Sequence, residues 1–174
     1  MHDCNEGWDY FQSEGIQPED DSSSIVFVEV YENDAFKDRN LGDPLPTSKL
    51  LGYIFVIEPD HEDPRYKMPG GRKENRETPP QAGRRELEEE TGLLVPADAV
   101  WYVNKKQRTM PSPHWNVLCQ ARVEEREVPW MTSGHPENEG EVPKFVTVGQ
   151  FREMVARGDF LAAHLQRLSE AKLI

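Results

Sequence analysis

The sequence predicts an α/β protein with a mixed β-sheet layered against helices. Three observations predict it. Runs of β-branched and aromatic residues recur along the chain, as strands require. A capped, helix-forming segment stands between two of them. Two further helical stretches follow the last short strand. Strands that flank and alternate with helices bury their apolar faces by stacking in layers. A length of 174 residues suits one domain with a substantial core.

The elements follow in order. Residues 1–22 mix acidic, polar and aromatic residues (Trp8, Tyr10, Phe11) with no period, and read as a flexible N-terminal tail. Pro18 to Ser24 reads as a flexible joint, and residues 23–174 as a single domain. Ser24–Tyr31 is a first strand, and Glu32–Ser48 a long loop. Lys49–Ile57 is continuously apolar, the pattern of a strand buried on both faces. A polar loop, Asp60–Arg65, leads to a sharp turn at Pro69-Gly70-Gly71.

A helix then starts at Thr78, an N-cap with Pro79 at the first helical position and Gln81 completing a capping box. Gly92 ends it. Ala99–Asn104 and His114–Val123 are further strands, joined by a basic and then Pro-rich turn, Lys105–Pro113. An acidic loop, Glu124–Glu141, precedes a short strand, Val142–Val148, and helices at Gly149–Arg157 and Phe160–Lys172.

Composition narrows the function. The formal charge of −12 opposes general attraction to nucleic acid or anionic membranes. It leaves room for a small anionic substrate, because a bound divalent cation reverses the local field. No apolar run approaches the roughly 18–20 residues of a membrane span. Met1–Glu6 carries no secretory pattern, so a cytoplasmic protein is expected. Cys4 and Cys119 match no metal or redox spacing and read as reduced thiols.

The chemistry concentrates in Gly70–Leu93. Glu86, Glu89 and Glu90 stand at i, i+3 and i+4 and share one helix face. Like charges at this spacing repel, and the helix C-terminus disfavours anions. Taken alone, a glutamate-rich helix is most simply a solvated face. Here Gly70-Gly71 brings exposed backbone beside the carboxylates, and Glu77 stands at the helix entrance. Arg84, Arg85 or a hard divalent ion with a taste for oxygen ligands can compensate the charge.

This segment resembles the Nudix box, G-x5-E-x7-R-E-U-x-E-E-x-G-U with U aliphatic. Gly71, Glu77, Arg85, Glu86, Leu87, Glu89, Glu90, Gly92 and Leu93 fill every fixed position. The resemblance implies a Nudix α/β/α sandwich around a mixed sheet, in which the box is a loop–helix–loop. It implies a metal-dependent hydrolase that cleaves a diphosphate bond. Glu86, Glu89 and Glu90 are then metal ligands, with the Gly70 carbonyl as a further one. Arg85 orients the carboxylates, and Glu77 contacts metal or pairs with Arg85. The implied cofactor is Mg²⁺, with Mn²⁺ as a substitute.

The proton acceptor stays open among Glu89, Glu139 and Glu141, with Glu124 and Glu125 behind them. The substrates implied are small nucleotides: nucleoside triphosphates, ADP-ribose and nucleotide sugars, dinucleoside polyphosphates or coenzymes. A proline downstream of the box marks the ADP-ribose class, and Pro111 and Pro113 lie near that place but not on it. Arg108, His114, Trp115 and Asn116 are candidates for a base pocket, as is Trp130 for stacking. Two other readings are carried: a nucleotide sensor that does not cleave, and an interaction domain using the N-terminal tail. Neither a membrane nor long nucleic acid is expected as partner, and a homodimer stays open.

Overall fold

The computed structural model describes residues 7–40 and 43–174. Its elements are α1 (Trp8–Ser13), β1 (Ser22–Tyr31), β2 (Leu50–Ile57), β3 (Gly70–Arg72), α2 (Pro79–Thr91), β4 (Val100–Arg108), β5 (His114–Glu124), β6 (Val142–Thr147), α3 (Val148–Arg157) and α4 (Ala162–Glu170). Short 3₁₀ turns stand at Thr47–Lys49 and Glu125–Trp130. No helix among the described residues is long and apolar enough to cross a membrane.

The strands form one mixed sheet in the order β4-β5-β1-β2-β6. β1 and β5 run parallel, with Val26 opposite Cys119, and the other pairs are antiparallel. β1 is the central strand, and every residue in it but Ser23 is buried. Successive side chains of a strand point to opposite faces. Val26, Val28 and Val30 accordingly pack with Leu87, Leu93 and Val95 below α1 and α2. Ile25 and Phe27 pack with Phe151, Met154, Phe160 and Leu168 below α3 and α4. The result is the expected α/β/α sandwich.

One edge of β1 is shared. Its C-terminal half pairs with β2, and its N-terminal half, Ser23–Ile25, pairs with β3. Here the structure corrects the sequence reading: Gly70 and Gly71 do not form a tight turn but a short strand. A Cβ built on Gly70 would lie 2.2 Å from the Ser24 carbonyl oxygen, so backbone meets backbone where no side chain fits. The segment that leads to the acidic helix thereby starts on a strand paired directly with the central one. A second correction concerns Lys105–Arg108, which extend β4 instead of opening the turn. Lys106 and Arg108 among them line a cavity described below.

The N-terminal segment departs most from expectation. Residues 1–6 lie outside the described residues, as does Cys4. Residues 7–22 are not a flexible tail. Trp8–Ser13 form a helix, and both Phe11 and Ile16 are fully buried. The Phe11 ring meets Tyr102 edge-on at 5.7 Å, and Tyr10 meets Tyr102 at 5.9 Å. A six-residue helix has too few bonds to persist alone. Burial of its aromatic side supplies the stability that local propensity lacks, which is why no period announced it. Removing a buried phenylalanine ring costs about 3–5 kcal/mol. Phe11→Ala should therefore lower the free energy of unfolding in urea by that amount, and the midpoint with it. A midpoint equal to wild type would show that residues 7–22 behave as a tail after all.

Candidate active site

The site is built on α2. Thr78 caps the helix through the Gln81 amide, and the Gln81 side chain returns a bond to the Thr78 amide, as the capping box predicts. Gly92 closes the helix at φ 77°, a left-handed conformation that glycine adopts without strain. Leu87 is fully buried against the sheet, so the residues beside it face outward. That places Arg85, Glu86, Glu89 and Glu90 along the loop Gly70–Glu74.

Arg85 organises this face. Its Nε and Nη2 donate to the two Glu77 carboxylate oxygens at 2.8 and 3.1 Å. Nη2 also donates to the Arg72 carbonyl at 2.8 Å. Nη1 donates to Glu86 at 3.0 Å and to both oxygens of Glu89 at 3.2 Å. Burial works against the guanidinium charge, but the carboxylates of Glu77, Glu86 and Glu89 outweigh it and hold its pKa above the ordinary value. A forked, planar donor set can serve three carboxylates at once, which a lysine cannot.

Glu86 reaches the cleft because residue 71 has no side chain. A Cβ on Gly71 would lie 2.4 Å from Glu86 Oε1. Burial raises the Glu86 pKa, against the pull of Arg85. Glu90 is almost fully buried and accepts the Gly70 amide at 3.2 Å. Burial, then the Glu141 charge, push its pKa up to about 9. Gly70 thus touches the acidic face through its N–H.

The acidic loop folds over the end of α2. Thr132 donates its amide to the Thr91 carbonyl at 2.9 Å. Asn138 Nδ2 donates to the carbonyls of Glu89 and Glu141, at 3.2 and 3.0 Å. The Glu139 amide donates to a Glu141 carboxylate oxygen at 3.1 Å. Glu137, Glu139 and Glu141 then line one cleft of about 320 Å³ with Arg85, Glu86, Glu89 and Glu90. Glu124 is engaged elsewhere, with the Asp34 amide and Arg126. Asn138 was not foreseen, since an asparagine in a long acidic loop carries no signal of what it clasps.

A second cavity, about 330 Å³, lies between β4, β5 and α4. Arg108 and Asn116 line it as the sequence suggests, together with Lys106, His164 and Arg167. Trp115 does not. Strand alternation turns it to the opposite face, where its Nε1 donates to Asp20 at 3.1 Å. His114 is buried, with Nε2 3.0 Å from Ser23 Oγ. Trp130 is exposed on its 3₁₀ turn and lines neither cavity. The sequence reading missed Arg167, whose buried guanidinium donates to the side-chain oxygens of Asn116 and Asn104. It also missed His164, whose Nδ1 accepts the Met68 amide at 3.0 Å. Both sit next to leucines on an amphipathic helix. A charged residue bordering an apolar stripe is the signal that was available.

His164 gives the site a pH dependence. Burial, then Lys67 and Arg167, lower its pKa from 6.5 to about 4. The unfolded chain takes up this proton near pH 6.5 and the folded one only near 4. Stability from neutral His164 is therefore complete above pH 6.5 and declines as pH falls towards 4, by about 3 kcal/mol. His164→Asn keeps an acceptor for Met68 but does not titrate. Urea unfolding at pH 7 and 4.5 should show a smaller acid loss for this variant. An equal loss in both proteins would rule His164 out as a source.

The comparisons with known proteins agree with this geometry. The family model for the NUDIX domain matches residues 49–165. No curated protein sequence matches the chain. Among solved structures, a MutT/nudix family protein from Enterococcus faecalis is similar at 15% identity and a TM-score of 0.51, covering 79% of this chain. The NUDIX domain of Shewanella oneidensis NrtR, in complex with ADP ribose, is similar at 14% identity and a TM-score of 0.57, covering 94% of this chain and 96% of that one. A bifunctional NMN adenylyltransferase/ADP ribose pyrophosphatase from Francisella tularensis, in complex with AMP and a Mn ion, gives 16% identity, a TM-score of 0.57 and 93% coverage. The chain spans about half the length of the Enterococcus and Francisella proteins, 49% and 44%. Identities this low speak for the fold, whereas the family match takes in the whole acidic helix and the cleft around it: the chain belongs to the Nudix hydrolase family.

Proposed function

We propose that this protein hydrolyses the diphosphate bond of a small nucleotide derivative, a nucleoside diphosphate linked to another group, with divalent metal. The observation that carries the reading is the cleft in which Glu86, Glu89, Glu90, Glu139 and Glu141 face one another beside Gly70 and Gly71. Oxygen donors of this kind suit Mg²⁺ or Mn²⁺. Glu86, Glu89, Glu90 and the Gly70 carbonyl are the proposed ligands. The near-complete burial of Glu90, at 3% exposure with a raised pKa, fits a group whose charge awaits a cation. When bound, divalent ions neutralise charge on the phosphoryl oxygens and lower the pKa of a coordinated water.

The chain's own residues do the rest. Arg85 keeps Glu86 and Glu89 aligned while Glu77 fixes the guanidinium from behind. Glu139 is the exposed member of the cluster, so it meets an attacking water with little desolvation and suits the role of proton acceptor. Glu141, whose carboxylate takes the Glu139 amide, holds that loop in place. Arg108, Lys106 and Asn116, which line the second cavity, are the proposed contacts for the rest of the substrate. Similar structures in complex with ADP ribose, or with AMP and a Mn ion, support small nucleotides and a divalent metal.

One observation favours a second reading, a domain that binds a nucleotide without cleaving it. Among the described residues no three acidic, histidine or cysteine side chains converge closely enough to hold an ion. Arg85 stands between Glu86 and Glu89 instead.

A phosphatase-coupled assay with Mg²⁺ over nucleoside triphosphates, ADP-ribose, nucleotide sugars, dinucleoside polyphosphates and coenzymes separates the two. Metal-dependent turnover of one class is expected. Glu89→Gln should reduce it about 10²-fold or more and also weaken the thermal shift that Mg²⁺ produces. Glu139→Gln should reduce turnover similarly while the Mg²⁺ shift stays. Silence across the panel, from folded protein that still binds a nucleotide, would replace hydrolysis with sensing.

A further inference from the structure

The alignment of the acidic face runs back through Arg85 to Glu77, and Glu77 ends an exposed loop. Within that loop, the Glu74 amide donates to Glu77 Oε1 at 2.7 Å and the Glu77 amide to the Glu74 carbonyl at 3.0 Å. Lys73 Nζ donates to the Asn75 carbonyl at 2.8 Å, and Asn75 stands at φ 47°. These are short-range bonds among exposed groups. Such bonds leave a segment free to open locally unless something outside it ties it down.

Two ties come from outside: at the loop's start the Lys73 amide donates to the Ser22 carbonyl of β1 at 3.0 Å, and at its far end the tie comes from the N-terminal helix. Trp8 Nε1 donates to the Arg76 carbonyl at 2.7 Å, across 68 residues of sequence. Lys73 Nζ lies 6.0 Å from the centre of the same indole ring. The helix that presents Trp8 is itself anchored, since Phe11 and Ile16 are fully buried in the core beneath α2. A continuous path therefore links the core to α1, to Trp8, to the Arg76 carbonyl and to the adjoining Glu77, which grips Arg85 with both oxygens.

We propose that Trp8 is a positioning residue for the site: it pins the loop Lys73–Glu77 and so holds the Glu77–Arg85 pair that aligns Glu86 and Glu89. The physical reason is geometric. A bidentate carboxylate–guanidinium pair fixes the plane of the guanidinium, and Nη1 must meet two further carboxylates in that plane. Displacing Glu77 turns the plane, and both contacts lengthen together. Without the indole N–H, the Arg76 carbonyl turns to water and the loop gains the freedom to do this. The inference rests on the metal-dependent reading of the cleft, but its first readout does not.

Trp8→Phe keeps an aromatic ring beside Lys73 and Phe11 and removes the indole N–H together with part of the ring. Amide exchange in metal-free protein should speed up about tenfold at residues 73–77, with β1 and α2 unchanged. The Mg²⁺ concentration at the midpoint of the thermal shift should rise about tenfold, as loss of an outer support for metal ligands does. In a Glu77→Gln background, Trp8→Phe should add nothing to that shift, because the path is already cut. Unchanged exchange at 73–77 would overturn the proposal, and so would additive effects of the two substitutions. If the substrate panel proves silent while exchange and the cycle behave as expected, hydrolysis fails and the role of Trp8 stands.

Discussion

Much of this site depends on one cation. Arg85 is shared by Glu77, Glu86 and Glu89, with Glu74 at 3.6 Å, and it borders a cleft in a protein of net charge −12. Two of its partners, Glu86 and Glu89, would otherwise repel each other on a single helix face, towards the end of the helix dipole that opposes them. The guanidinium converts that repulsion into an ordered array. Because its five donors are rigidly arranged, the array has a defined geometry and not just a balanced charge.

The sheet places that array. β1 is buried on both faces, and its edge accepts β3 where the box begins. Glycines at 70 and 71 let backbone and carboxylate approach to distances that any side chain would block. On the far side, α4 touches the same segment through the bond from the Met68 amide to His164. The segment that leads into the acidic helix is thus supported by both helical layers, one through α2 and the other through α4.

The parts of this molecule that local chemistry determines were legible in the sequence. Thr78, Pro79, Gln81 and Gly92 each satisfy a backbone requirement within a few residues, so the α2 boundaries follow from them. The shared face of Glu86, Glu89 and Glu90 follows from helical spacing. What stayed hidden depends on contacts between distant segments. α1 forms because Phe11 finds Tyr102, and Trp115 stays out of the cavity lined by Arg108 and Asn116 because β5 pairs in a register that turns it away. Asn138 and Arg167 gain meaning only from carbonyls and amides that the fold brings to them. Gly70 and Gly71 looked like a turn because glycine marks both turns and close backbone approach.

The parallel pairing of β1 and β5 has a consequence for how the chain assembles. Ser22 finds Trp115 and Tyr31 finds Glu124, so this partner comes from beyond β2, β3, α2 and β4. Until it arrives, the central, almost wholly buried strand of the sheet keeps one edge open. An uncovered apolar edge invites pairing with another chain. Any partly folded chain that lacks β5 therefore leaves this edge of β1 unpaired, and the edge is covered only when β5 adds to the sheet.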